Sequence, residues 1–171
     1  LGDVYKRQVN KLSSGIKMEF EVERMEPLFA SQEEYDAFCK RHDSHCVKTA
    51  PLETYTGNCY LGIDAGSTTT KAALVGEDGS LLYSFYSNNN GSPLKTAIGA
   101  IQDIYKKLPA GAKIVRSCST GYGEALIKSA LQLDEGEVET VSHYYAAAFF
   151  NPEVDCTLDI GGQDMKCIKI K

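Results

Sequence analysis

The sequence predicts a mixed α/β fold in which a three-stranded meander is followed by a helix, a strand and a second helix. Two observations support this fold class. An Asp-Gly turn at Gly76–Gly79 separates two apolar runs, which is typical of a β-hairpin. Apolar residues then recur at helical spacing, which predicts one buried helix face made of Leu94, Ala97, Ile98, Ile101, Ile104, Tyr105 and Leu108.

Local signals bound each of these elements. Pro93 follows Ser92 at the start of the long helix, a position that proline favours, and Pro109 ends it. The predicted strands are Tyr60–Ile63, Lys71–Val75, Leu81–Ser87 and Ile114–Ser119, and the later helices are Glu124–Leu131 and Tyr144–Phe150. This is the ribonuclease-H-like order, and a hairpin of Val154–Ile160 with Met165–Ile170 would open a second copy of it.

The composition is globular and carries no nucleic-acid or membrane signature. Of the 171 residues, 43% are hydrophobic and 24% are charged, and the net charge is −5. The lack of a basic patch argues against nucleic acid or an anionic membrane surface as a partner. No apolar run approaches the roughly 20 residues of a membrane span, and no secretion signal is visible. We therefore expect a cytoplasmic location.

Four segments differ in character along the chain. Residues 1–8 fit nothing that follows them and are interpreted as a non-native leader. Residues 9–58 form a polar linker, whose short helix begins at a capping box, Ser31 to Glu34. Residues 59–150 are expected to form a first half-domain, and residues 151–171 the truncated start of a second, so we interpret the chain as a fragment of a longer protein.

The segment Tyr60–Lys71 has the chemistry of a phosphate and cation site. An apolar strand enters the turn, and a second strand leaves it. A glycine in such a turn lets the backbone approach a ligand, successive N–H groups can hold an anion, and a carboxylate suits Mg²⁺. The predicted phosphate contacts are Gly66, Ser67, Thr68 and Thr69, with Asp64 assigned to Mg²⁺. Lys71 points either at phosphate or into solvent.

A second turn of the same kind lies between Leu158 and Lys166. One glycine turn is usually only a hairpin, but two Asp-x-Gly hairpins resemble the paired phosphate loops of the actin/hexokinase/Hsp70 ATPase superfamily. The predicted phosphate contacts here are Gly161, Gly162 and Gln163, and Asp159 would hold Mg²⁺ through water. Either Asp159 or Gln163 would orient the attacking water.

Three motifs narrow the family: IDAGSTTTK, STGYGEALI and LDIGGQDMK, in this order. Together they resemble the activators of 2-hydroxyacyl-CoA dehydratases and the ATPase subunits of benzoyl-CoA reductases, over roughly Cys59 to Lys171. The resemblance implies an ATPase, with ATP and Mg²⁺ as cofactors, that drives low-potential electron transfer to an acyl-CoA dehydratase or reductase. It also implies a [4Fe-4S] cluster shared by a homodimer, or by two ATPase domains of one chain, with its cysteine ligands beyond Lys171 in the full-length protein.

Two other functions share parts of this pattern. A sugar or carboxylate kinase of the same superfamily would carry both phosphate loops. A non-catalytic nucleotide-binding module would carry degenerate loops, and the intact Asp64 and Asp159 argue against it.

Several further residues have alternative interpretations. Gly121 lies between a strand and a helix, where it would bind phosphate at the helix N-terminus or, with Gly123, allow close packing between the half-domains. His143, next to a predicted helix start, is interpreted as structural.

An ordinary helix end is favoured over a zinc site for Cys39, His42, His45 and Cys46. Buried positions are expected for Cys59, Cys118, Cys156 and Cys167.

Overall fold

The computed structural model describes residues 2–15, 26–161 and 164–170, which fall into two units, Leu1–Cys46 and Val47–Lys171. The first unit contains helices α1 (Gly2–Ser13) and α2 (Gln32–Asp43). Ser31 caps α2, because its side chain accepts a hydrogen bond from the Glu34 backbone N–H at 3.3 Å, so the predicted helix start is confirmed. The Glu34 side chain accepts from the Ala30 N–H at 2.8 Å and not from Ser31, so the reciprocal half of the predicted capping box is displaced by one residue. α1 includes most of the segment interpreted as a non-native leader, and that interpretation stays a prediction.

The second unit contains a five-stranded sheet and a separate hairpin. Its elements are β1 (Gly57–Ala65), β2 (Thr69–Gly76), β3 (Leu81–Asn88), α3 (Pro93–Lys107), β4 (Ala112–Thr120), α4 (Glu124–Leu131), β5 (Glu135–Gly136), α5 (Glu139–Phe150), β6 (Cys156–Ile160) and β7 (Met165–Lys169). The sheet order is β3-β2-β1-β4-β5, with β1 antiparallel to β2 and parallel to β4. The predicted ribonuclease-H-like order is therefore confirmed.

The core lies between one face of the sheet and α3. Alternation along β1 buries Leu61 and Ile63, and α3 covers them with Ala97 and Ile104, which have no exposed surface. Burial of this kind stabilises a fold by about 25 cal/mol per Å² of apolar area removed from water. The core positions the end of β1, where the first glycine turn begins.

Two residues of the predicted helix stripe are not buried. Ile98 is 38% exposed and Tyr105 is 61% exposed. At about 100° per residue, both lie at the margin of the apolar stripe, so the sheet covers the middle of the stripe and leaves this margin in water.

Helix α5 begins at Glu139, and the prediction that it begins at Tyr144 is wrong. His143 consequently lies inside the helix and not beside its start. The first turn contains Thr140 and Val141, whose β-branched side chains have low helix propensity. For this reason the sequence pattern did not indicate that the helix begins there.

The predicted burial of the strand cysteines holds for only part of the set. Cys59 has no exposed surface, and burial raises the pKa of its thiol. Cys118 is half-buried. Cys156 and Cys167 are exposed, with their Sγ atoms 3.7 Å apart, so the prediction is wrong for these two. Their face of the β6–β7 hairpin is not covered by any part of the chain that the structure describes.

The same face of the hairpin exposes large apolar side chains. Leu158, Ile160 and Met165 are 70%, 76% and 72% exposed, and an isolated two-stranded hairpin is marginally stable in water. In the 171-residue polypeptide we expect the backbone amides of β6 and β7 to exchange with solvent much faster than those of β1 and β2. Hydrogen–deuterium exchange with mass spectrometry measures this difference, and equal protection in a soluble monomer would contradict it.

Candidate functional site

The turn between β1 and β2 is built around Gly66. Its backbone N–H donates a hydrogen bond to the carbonyl oxygen of Thr69 at 2.9 Å, and a Cβ at Gly66 would lie 3.0 Å from that oxygen. Glycine therefore lets the turn close tightly. On the flanking strands, Asp64 and Lys71 are cross-strand partners, and the lysine Nζ lies 2.8 Å from the Asp64 carboxylate. The turn thus has one carboxylate and one ammonium at its base.

Asn89 braces this turn, and the sequence did not indicate that role. The side chain is 2% exposed, and its Nδ2 donates to the Gly66 carbonyl oxygen at 2.8 Å. The Asn89 backbone N–H also donates to the Thr68 carbonyl oxygen at 3.0 Å. The asparagine run at the end of β3 is a turn signal, but nothing local to it indicates that it contacts a turn more than twenty positions earlier.

The turn between β6 and β7 repeats the same local geometry. Gly161 donates its backbone N–H to the carbonyl oxygen of Asp164 at 2.9 Å, and Asp159 pairs with Lys166 across the strands. Both turns therefore follow one pattern, Asp-x-Gly-x4-Lys, with the aspartate and the lysine in register. The predicted contacts Gly162 and Gln163 lie outside the described residues.

The two turns open on one cleft, with a cavity volume of about 690 Å³. This volume lies within the range of about 300–1,000 Å³ that is usual for small-molecule sites. The first turn and its strands contribute Asp64, Gly66, Ser67, Thr68, Thr69 and Lys71. The second turn and α5 contribute Glu139, Ile160, Gly161 and Asp164, and two exposed tyrosines, Tyr86 and Tyr122, complete the lining. Of these, Glu139, Ile160, Asp164 and the two tyrosines were not predicted.

Lysine ammonium groups, glycine-containing turns and hydroxyl groups bind the phosphates of a nucleotide, and carboxylate oxygens bind Mg²⁺. The cleft offers both: the Asp64 and Asp164 carboxylates lie beside the Gly66 and Gly161 turns. The donor chemistry of the cleft therefore fits both a nucleotide phosphate chain and a hard cation.

Asp159 lies on the other side of the second turn, against α5. Its Oδ2 is 3.3 Å from His143 Nδ1 and 3.8 Å from Lys166 Nζ. Within residues 2–15, 26–161 and 164–170, one group of three His, Cys, Asp or Glu side chains comes close enough to hold a metal ion: Glu139, His143 and Asp159. Asp159 is not among the described residues that line the cleft.

Lys166 connects these acids to one another. Its Nζ lies 3.0 Å from the Asp164 carboxylate and 3.2 Å from the Glu139 carboxylate. Hydrogen bonds to Asp164, and then to Glu139, raise the pKa of Lys166 above its ordinary value. The ammonium therefore stays protonated throughout the neutral range.

Gly121 packs against the end of β1 and is absent from the described lining of the cleft. Its φ is +87°, and a Cβ there would lie 2.5 Å from the Asp64 Oδ1 and 2.8 Å from the Ala65 carbonyl oxygen. Next to it, Gly123 donates its backbone N–H to the same Ala65 oxygen at 2.8 Å. Both glycines thus allow the connection between β4 and α4 to pack closely against Asp64 and Ala65 at the end of β1.

His42, near the end of α2, has an ordinary helix-end environment. The helix ends at Asp43, and the Ser44 backbone N–H caps it by donating to the carbonyl oxygen of His42. The His42 ring lies 3.9 Å from the Phe38 ring, centroid to centroid, and its Nδ1 is 2.9 Å from the Phe38 carbonyl oxygen. These contacts account for His42 without a metal.

The profile of the BadF/BadG/BcrA/BcrD ATPase family matches residues 61–171, more than half of the chain and all of both glycine turns. The chain belongs to this family. The resemblance inferred from the three motifs is thereby confirmed. No helix in the described ranges combines the length and the apolarity needed to cross a membrane.

Two solved structures share the fold of this family member. Component A of the (R)-2-hydroxyglutaryl-CoA dehydratase of Acidaminococcus fermentans is 26% identical, with a TM-score of 0.57, and the match covers 67% of this chain and 44% of that one. The activator of the 2-hydroxyisocaproyl-CoA dehydratase from Clostridium difficile, solved with bound ADPNP, is 26% identical, with a TM-score of 0.56 and coverages of 66% and 41%. These likenesses confirm the predicted actin-like ATPase fold.

Two curated relatives match the same part of the BadF/BadG/BcrA/BcrD family member. The uncharacterized protein MJ0004 of Methanocaldococcus jannaschii is 37% identical over 112 residues, which is 64% of this chain and 42% of that protein. The uncharacterized protein YjiL of Escherichia coli K12 is 34% identical over 111 residues, which is 64% of this chain and 40% of that protein. The chain thus spans about two fifths of the length of these relatives.

Proposed function

We propose that the chain carries the two phosphate loops of an ATP-hydrolysing activator, which acts in the cytoplasm and drives low-potential electron transfer to a 2-hydroxyacyl-CoA dehydratase or a related acyl-CoA reductase. The observation that carries this proposal is that both Asp-x-Gly turns open on one cleft. Membership of an ATPase family and the likeness to two dehydratase activators support it. In this proposal residues 59–150 form the first half-domain, and residues 151–171 begin the second.

In this proposal the two turns hold the phosphate chain from opposite sides. The hydroxyls of Ser67, Thr68 and Thr69 line the cleft as donors. The backbone N–H groups of Gly66 and Gly161 close the two turns by donating to the carbonyl oxygens of Thr69 and Asp164. Lys71, already paired with Asp64, supplies one positive charge at the first turn. Groups that are aimed at developing charge before the reaction begins stabilise a transition state without reorganisation.

Asp64 and Asp159 are proposed to hold Mg²⁺ through its bound water, and Asp159 or Gln163 to orient the attacking water. Bound Mg²⁺ would neutralise phosphate charge during transfer. The Asp64 side chain is 26% exposed and the Asp159 side chain 23% exposed, so both are partly shielded from solvent.

The test of this function is ATP hydrolysis by the full-length protein. We expect phosphate release from MgATP in the absence of any other acceptor, and faster electron delivery to an acyl-CoA dehydratase when ATP is hydrolysed. A sugar or carboxylate kinase would instead release ADP only when its acceptor is added. A protein that binds ADPNP but hydrolyses no ATP under either condition would be a nucleotide-binding module.

The [4Fe-4S] cluster of the proposed activator requires four thiolates, two from each of two ATPase units. Cys156 and Cys167 are exposed, with their Sγ atoms 3.7 Å apart, but the family resemblance places the cluster ligands beyond Lys171. We therefore predict that anaerobic reconstitution of residues 1–171 with iron and sulfide yields no cluster absorbance, whereas the full-length protein yields it. A stoichiometric cluster on residues 1–171 would place the ligands among these six cysteines.

A further inference from the structure

We infer that Lys166 is an electrostatic positioning residue of the second turn: its ammonium holds and neutralises the acids around the cleft, so that the cleft can accept an anionic phosphate chain. This inference rests on the proposed nucleotide function and assigns a role to a residue that the phosphate-loop pattern leaves without one. It is carried by the placement of one lysine among three carboxylates.

Those three carboxylates come from different parts of the fold. Glu139 is at the start of α5, Asp159 is on β6, and Asp164 is in the turn itself. Their oxygens lie 3.2, 3.8 and 3.0 Å from the Lys166 Nζ, and the lysine side chain is 27% exposed. Lys166 therefore joins a helix, a strand and a turn through one charge.

The two turns differ in the number of acidic side chains around the lysine. Lys71 and Lys166 occupy the same position of the Asp-x-Gly-x4-Lys pattern, and each is in register with its own aspartate. Lys71 pairs with Asp64 alone among the described residues, so that turn has no excess charge. The second turn has two additional acids, Glu139 and Asp164, and both line the cleft.

The negative charges around the second turn explain why a positive side chain is needed there for an anion to bind. Without its ammonium, Glu139, Asp159 and Asp164 would place three negative charges beside the Gly161 turn, where the phosphates of ATP would have to approach. Like charges at close range oppose binding, and the effect is strongest where solvent is partly excluded. With Lys166 in place, the charge of this group falls from −3 to −2, and each carboxylate has an oxygen within 3.8 Å of Nζ.

The experiment measures the dissociation constant for ADP by calorimetry, in the full-length protein and without divalent cations, so that metal binding does not contribute. We expect Lys166→Met to weaken ADP binding at least about tenfold, a moderate loss for a charge pair that is partly exposed to solvent. Lys166→Arg should retain binding within about threefold, because a guanidinium keeps the charge and pairs with carboxylates. The matched control is Lys169→Met, which removes the same charge from the exposed end of β7 and should change the constant less than about twofold.

Two further variants separate charge from packing. In the Lys166→Met background, Asp164→Asn should recover most of the lost affinity, because it removes one repelling charge; a purely structural lysine would not be rescued in this way. Asp164→Asn alone should strengthen ADP binding, because it removes one negative charge from the cleft lining. This second variant decides the matter even where Lys166→Met fails to fold, since Asp164 has a 60% exposed side chain.

Each outcome has a distinct meaning. If wild-type protein binds no ADP, both the proposed function and this inference fail. If wild-type binds ADP but Lys166→Met behaves like Lys169→Met, the inference fails and the proposed function stands. Weakened binding that Asp164→Asn does not restore, or unchanged or weaker binding in Asp164→Asn alone, also overturns the electrostatic role.

Discussion

Replacing Asp159 by asparagine in the full-length protein is expected to lower the rate of ATP hydrolysis about 100-fold or more while the fold remains intact. This is the scale for losing one positioned electrostatic group at a reaction centre. Asparagine keeps the size of the side chain but removes the charge that faces His143 at 3.3 Å and Lys166 at 3.8 Å. Steady-state phosphate release gives the rate, and the circular dichroism spectrum with its melting temperature confirms folding.

The matched control for this variant is Asp155→Asn. Asp155 is an exposed aspartate just before β6, so its replacement removes the same charge close to the same strand. We expect this control to hydrolyse ATP within about twofold of the wild-type rate, as is usual for surface changes away from a site. Unchanged turnover in Asp159→Asn would remove Asp159 from the mechanism and leave Gln163 as the predicted group that orients water.

Replacing Gly121 by alanine is expected to cost about 2–4 kcal/mol in the free energy of unfolding. Two effects contribute. The φ of +87° is strained for any residue with a Cβ, and the new Cβ would meet the Asp64 carboxylate at 2.5 Å and the Ala65 carbonyl oxygen at 2.8 Å. Because backbone is one of the two obstacles, rotation of a side chain cannot relieve the clash. Urea unfolding measures the loss.

Gly91→Ala separates these two contributions. Gly91 has a φ of +76°, but a Cβ there would meet nothing within 4 Å. This control should lose only the cost of the left-handed backbone, about 1–2 kcal/mol. Equal losses in the two variants would show that close packing at Gly121 contributes nothing to stability. A larger loss at Gly121 supports the packing interpretation over direct phosphate contact.

The sequence predicted those parts of the site whose signals are local. The turn at Gly66 and the turn at Gly161 each carry their glycine, aspartate and flanking strands within about a dozen residues, and the structure places both turns beside one cleft. The same holds for α4, whose limits Glu124–Leu131 agree with the prediction. Periodicity and turn chemistry act over such short distances, so they can be recognised without the fold.

Local signals failed where the local propensity opposed the final structure. Weak helix formers concealed the first turn of α5, and with it the position of Glu139 in the cleft lining. In a folded protein, tertiary packing supplies most of the stability of a helix, so poor intrinsic propensity in one turn does not prevent it from forming. The prediction that Cys156 and Cys167 are buried was wrong for a different reason. An apolar strand pattern does not indicate whether another element covers that face of the strand.

By itself the sequence determined the two Asp-x-Gly hairpins, the helix–strand order and, through three motifs, the ATPase family. Only the tertiary structure decided which distant residues support those hairpins. Asn89 reaches the Gly66 turn from the end of β3, and Lys166 on β7 meets Glu139 at the start of α5. These contacts join residues that are more than twenty positions apart, and chain folding brings such residues together through packing of the whole core. The residue pattern in a short window of sequence therefore does not indicate these long-range contacts.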